Sequence, residues 1–139
     1  MLKKYLFLLL FIPFLAFGAE EAAEGEESEE KKLPLKYYQI APNIMTFYQG
    51  TGKKMGYVVV QVQVVVRGEE NLELVGIHLP LMQDALIDFF NRQEKKVIRD
   101  HTQRPTLQNQ AKEKVAAALK EELGEDIIED LLFTQYIFQ

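Results

Sequence analysis

Cysteine and tryptophan are both absent from this chain. Without cysteine there is no disulfide framework, no thiolate ligand for a metal and no thiol nucleophile. The one serine, Ser28, sits in a run of glutamates, so serine-nucleophile chemistry is excluded from the folded part. His78 and His101 are the only histidines, with no partner at i, i+4 and no ligand spacing around either, and read as ordinary structural or surface residues. Asp84 and Asp88 stand one helix turn apart and could be imagined as an acid pair or a hard-cation site. They face away from an apolar stripe, which reads as a solvated face. No catalytic, cofactor-binding or metal-ligating set can be assembled from what remains, and no cofactor is expected.

A basic excess is missing too. The net charge is -5, but residues 19–30 hold seven glutamates and no lysine or arginine. Residues 31–139 carry fourteen basic and fourteen acidic side chains, a neutral balance that lacks the field of a nucleic-acid binder. At 139 residues, with 47% hydrophobic and 27% charged content, the chain suits one globular domain.

Nor is there a long apolar run. Met1-Leu2-Lys3-Lys4 gives a positive start, and residues 5–17 come next without charge, interrupted by Pro13. Ala16 and Gly18 place small residues at −3 and −1 of a cut before Ala19, the layout of a secretory signal. The rival reading is a retained anchor, but residues 5–19 as a helix reach only about 22 Å against about 30 Å of hydrocarbon. With no cysteine after the run, a lipid-modified N-terminus is excluded. Either reading exports the remainder of the chain, to the periplasmic side in a bacterium. Residues 1–18 are thus a signal or short anchor, and residues 19–36 an acidic, solvated spacer.

What is present is a pattern. In residues 56–67, GYVVVQVQVVVR, one alternate set is Gly56 and five valines from Val58 to Val66. The other set is Tyr57, Val59, Gln61, Gln63, Val65 and Arg67. Alternation and β-branching predict a long strand with one sealed face and one mixed face. Residues 37–48, YYQIAPNIMTFY, predict an edge strand or one broken at Ala41, because Pro42 cannot donate to a ladder. Residues 49–54 read as a hairpin turn. They fail as a phosphate-binding loop, since Phe47 and Lys54 stand where glycine and Ser/Thr are needed. Residues 72–79 predict a short irregular or helical stretch.

From Pro80 the period becomes helical, with Met82, Ala85, Leu86, Phe89 and Phe90 on one side. Val97 and Ile98 sit in a charged neighbourhood that favours no element. Residues 106–123 predict a helix capped by Thr106 and ended by Gly124, with Leu107, Ala111, Val115, Ala118, Leu119 and Leu123 as its stripe. Residues 131–139 predict a last strand pairing with the valine strand. The fold expected is α+β, a small antiparallel or mixed sheet with helices on one face.

The ending Phe133-Thr134-Gln135-Tyr136-Ile137-Phe138-Gln139 is similar to that of the flagellar basal-body-associated FliL family. The Tyr57-Val58-Val59-Val60-Gln61-Val62 strand, the Leu79-Pro80-Leu81-Met82-Gln83-Asp84-Ala85-Leu86 helix opening and the helix over 110–123 resemble it in the same order. The resemblance covers residues 37–139 and implies a stomatin/prohibitin-like periplasmic domain near the flagellar stator. It implies stator and basal-body proteins as partners, a homo-oligomeric ring, and effects on swimming, swarming and chemotaxis. It carries over no catalytic residue. The family's usual transmembrane helix is longer than residues 5–19, so this chain resembles a shortened member. A reading from a different class is a small lipid- or peptide-binding module, drawing on Tyr57, Gln61 and Gln63 with Phe47, Tyr48, Tyr136 and Phe138.

The intact mass of protein recovered from cells separates signal from anchor. The expected mass begins at Ala19; a full-length mass identifies a retained anchor instead.

Overall fold

Alternation along GYVVVQVQVVVR yields a strand with the predicted limits. In the computed structural model, which describes residues 33–50 and 55–139, β1 (Leu35–Tyr48) and β2 (Gly56–Arg67) form an antiparallel pair. The readings made on residues 1–32, Ser28 among them, and on residues 51–54 lie outside the described residues. β3 (Asp130–Phe138) pairs antiparallel with the other side of β2, giving the order β1-β2-β3. Between β2 and β3 come α1 (Gly68–Ile77), α2 (Leu79–Asn91), α3 (Lys95–Ile98), a 3₁₀ turn (His101–Gln103) and α4 (Arg104–Leu123). The fold is α+β.

Val58, Val60, Val62, Val64 and Val66 are wholly inaccessible and form the floor of the core. Each such burial is worth about 1.5–3 kcal/mol over exposure. The roof is Val75 of α1, Met82, Leu86, Phe89 and Phe90 of α2, Ile98 of α3, and Leu107, Ala111, Val115 and Leu119 of α4. The predicted helical stripes therefore face the sheet, with Ala85, Ala118 and Leu123 only half-buried at their margins.

Two register shifts give the outer strands their faces. Between Ile40, opposite Val62, and Ile44, opposite Val60, β1 takes four steps while β2 takes two. An even insertion keeps parity, so Ile40 and Ile44 both enter the core, and Pro42 sits in the bulge where no ladder donor is required. In β3, Gln135 faces Gln61 while Phe133 faces Val62, so Thr134 is one extra residue. An odd insertion inverts parity. Phe138 and Tyr136 on one side of it and Phe133 and Leu131 on the other thereby all share the helix-covered face.

The helical readings are corrected at two places. The stretch predicted as irregular or helical over 72–79 begins earlier: α1 starts at Gly68, whose φ of 79° suits glycine and lets the chain turn straight out of β2. It would continue into α2, but the ring of Pro80 clashes with the carbonyl four residues back, so the helix breaks at His78. Thr106 does not cap α4. That helix starts two residues sooner, after Gln103 and without a side-chain cap. The cap lies one turn upstream, where Asp100 accepts from the Thr102 amide at 2.9 Å and the Thr102 hydroxyl at 2.7 Å. Gly124 ends α4 in the left-handed conformation as predicted. Val97 and Ile98 fall in α3, where Ile98 is buried.

Gly56 is kept small by the ring of Tyr48, against which any Cβ would collide. Tyr48 is buried and its hydroxyl donates to the Gln139 carbonyl at 2.7 Å, so the ring has little room to yield. Gly56→Ala is expected to destabilise by about 1–3 kcal/mol. Gly76→Ala, in the last turn of α1 and within ordinary contact of Tyr38, is expected to stabilise by up to about 1 kcal/mol. Urea unfolding of both variants checks the opposite signs.

Candidate interaction surface

The face of the sheet turned away from the helices is made by the odd set of β2 and its neighbours. Pairing aligns Phe47 with Tyr57, Met45 with Val59, Gln39 with Gln63, Tyr37 with Val65 and Leu35 with Arg67. On the other side Ile137 faces Val59, Gln135 faces Gln61 and Leu132 faces Gln63. Met45 is 63% exposed, Tyr37 58%, Phe47 52% and Ile137 46%. These are large apolar side chains in contiguous cross-strand rows, which a covered face would not leave in water.

A polar band crosses the middle of this face. The Gln63 amide donates to Gln39 Oε1 at 3.0 Å, and Gln39 Nε2 reaches the Val62 carbonyl at 3.3 Å. Gln61 and Gln135 extend the band to β3. It divides Met45, Phe47, Val59 and Ile137 from Leu35, Tyr37, Val65 and Leu132. The amides also fix register, since a slip by one residue would bury them among valines without partners.

Of the residues on this face, the sequence pattern gives the β2 set directly: Tyr57, Val59, Gln61, Gln63, Val65 and Arg67. Assigning Met45, Tyr37, Ile137 and Leu132 to it requires strand pairing and, for β3, the bulge at Thr134. For β1 a usable signal exists, since the even positions Ile40 and Ile44 are apolar on both sides of Pro42.

The four aromatics invoked for a binding module separate. Tyr48, Tyr136 and Phe138 pack against the core on the helix side, whereas Phe47 lies on the open face. They do not line one cavity. The histidines are also apart in role. His78 Nδ1 lies 2.8 Å from the Leu74 carbonyl, which only accepts, so the ring donates there and satisfies the end of α1. His101 is exposed beside Phe138, with ring centroids 6.4 Å apart. Asp88 pairs with Arg92 at 3.0 Å, one helix turn on, while Asp84 is exposed. Among the described residues no three His, Asp or Glu side chains are grouped to hold a metal ion. Among them too, no helix is long and apolar enough to cross a membrane.

A protein-family model described as flagellar basal body-associated protein FliL matches residues 37–139, the stretch on which the resemblance rests. Comparison with curated proteins gives no match.

One titratable group couples β3 to the helical layer. The Tyr136 hydroxyl donates to the Ile98 carbonyl at 2.9 Å, and burial pushes its pKa up to about 12. An unfolded tyrosine titrates near pH 10. Between about pH 10 and 12 the unfolded chain sheds a proton that the folded chain keeps, so this contribution is complete below that window and is lost across it. Tyr136→Phe is expected to cost about 1 kcal/mol at neutral pH and to fall less steeply through the alkaline window. Urea midpoints measured from pH 8 to 12 check this, and parallel curves would exclude the hydroxyl as the cause.

Proposed function

The chain belongs to the FliL family of flagellar basal body-associated proteins, and on that premise we propose that it is a non-enzymatic component of the flagellar motor. It acts by protein–protein assembly, with stator and basal-body proteins and with further copies of itself in a ring. The domain stands on the periplasmic side of the inner membrane, carried there by the N-terminal segment and anchored by it if uncleaved.

One observation supports assembly above all: the open sheet face presents Tyr37, Met45, Phe47 and Ile137 to solvent in adjoining rows. Such a face is costly to leave wet and gains by meeting a complementary surface. The glutamine band gives it specificity, because a partner must pair those amides as well as cover the apolar rows.

Deleting the gene is expected to alter spreading in soft agar and on viscous medium. Met45→Glu with Ile137→Glu is expected to reproduce that phenotype at unchanged protein level, while Lys114→Glu on the outer side of α4 does not. Unchanged motility of the deletion strain on both media would refute the motor reading. Crosslinking that captures only monomers at high concentration, with and without membranes, would remove the ring.

A further inference from the structure

At the end of the sheet where β1 meets β2, the connection between α2 and α3 is laced to the strand. Gln49 donates to the Gln93 carbonyl at 2.9 Å, and the Lys95 amide donates to the Gln49 carbonyl at 2.8 Å. The lacing leaves a cleft of about 350 Å³, with Tyr48, Gly50 and Tyr57 on one side and Lys95 and Arg99 on the other. A second cleft, of about 320 Å³, shares Gly50 and Lys95 with the first. Lys95 therefore borders both clefts.

Two of the cations here, Arg99 and Arg104, sit over aromatic rings without a carboxylate partner among the described residues. The Arg99 guanidinium lies 5.3 Å from the centroid of Phe138, and that of Arg104 lies 4.4 Å from the centroid of Tyr136. Those rings meet edge to face at 6.1 Å, and Tyr136 is tied to Ile98, so both stacking surfaces are fixed. A guanidinium over a ring has five N–H donors, more than one ring face can engage, so donors remain for an anion. Arg104 spends one of them on His101 Nδ1 at 3.4 Å. Among the described residues no carboxylate lies within 4 Å of Lys95, Arg99 or Arg104. The two acids of the same stretch are engaged elsewhere, Glu94 with Lys96 at 3.1 Å and Asp100 with Thr102.

We propose that this groove binds an acidic peptide segment of a partner protein, with carboxylates received by Lys95 and Arg99 and the segment running on toward Arg104. Charge complementarity supplies the attraction, and spacing selects the ligand. Lys95 and Arg99 are one helical turn apart, about 5–6 Å between Cβ atoms. Alternate side chains of an extended peptide are about 6.6 Å apart. Acids at every second residue thus meet successive cations, which a lone phosphate cannot do. Met45 and Ile137 of the open face do not line this cleft, while Tyr57, paired with Phe47, borders both surfaces.

The test uses the purified full-length chain and a fluorescent peptide of alternating glutamate and alanine, read by anisotropy. Binding is expected to weaken as salt is raised. Lys95→Glu with Arg99→Glu is expected to lower affinity at least about tenfold, the loss of one charge-assisted bidentate pair, whereas Lys112→Glu with Lys114→Glu on α4 leaves it within about twofold. Arg99→Lys keeps the charge but loses the fork, and is expected to fall between wild type and the reversal. An Arg99→Lys variant equal to wild type would reduce the groove to a diffuse positive patch and overturn the proposal. Inorganic phosphate or phosphatidylglycerol vesicles competing as strongly as the peptide would overturn the choice of a peptide. Circular dichroism of each variant excludes unfolding as the cause.

Discussion

The domain rests on keeping one side of β2 dry. Its five valines have no exposed area, and a central strand has no edge through which to escape a poor fit. The helical layer must therefore cover all of it, which α1, α2 and α4 do with side chains from each. β-branched floor residues are stiff, so the flexible members of the core, Met82 and the leucines, take up the irregularities from above.

The opposite side of the same strand obeys a different logic. Its glutamines make the sheet tolerant of water in the middle, while the rows at either end are too apolar to be suited to water alone. A strand with Gln61 and Gln63 inside a valine run can face only one way. That choice orients the whole sheet and decides which surface remains for neighbours.

Much of this is legible in the sequence because side-chain period is a strong signal. The limits of β2, the stripes of α2 and α4, the end at Gly124 and the pairing of the final strand with the valines all derive from it. The illegible parts arise where geometry depends on a partner distant in sequence. The faces of β3 cannot be read from FTQYIFQ, because Thr134 inverts its alternation and only pairing with Gln61 and Val62 reveals the extra residue. Thr106 resembles a cap because it comes after Pro105, yet Pro is comfortable within the first turn and α4 simply starts earlier. The cationic groove is invisible for the same reason as the open face. Arg99 and Arg104 acquire meaning from rings more than thirty residues away.

The two register shifts differ in a way that governs how the chain tolerates change in length. The irregularity in β1 counts as two residues, so removing the pair would shorten a bulge and leave inside and outside as they were. That in β3 counts as one. Excising Thr134 alone would remove the bulge and leave Phe133 opposite Val62 and Gln135 opposite Gln61, so Leu131, Phe133, Tyr136 and Phe138 would all stay on the helix-covered face. Each outer strand therefore carries a surplus that can be lost with its faces unchanged, two residues in β1 but only one in β3, and the last strand has the smaller allowance before a further deletion turns part of it over.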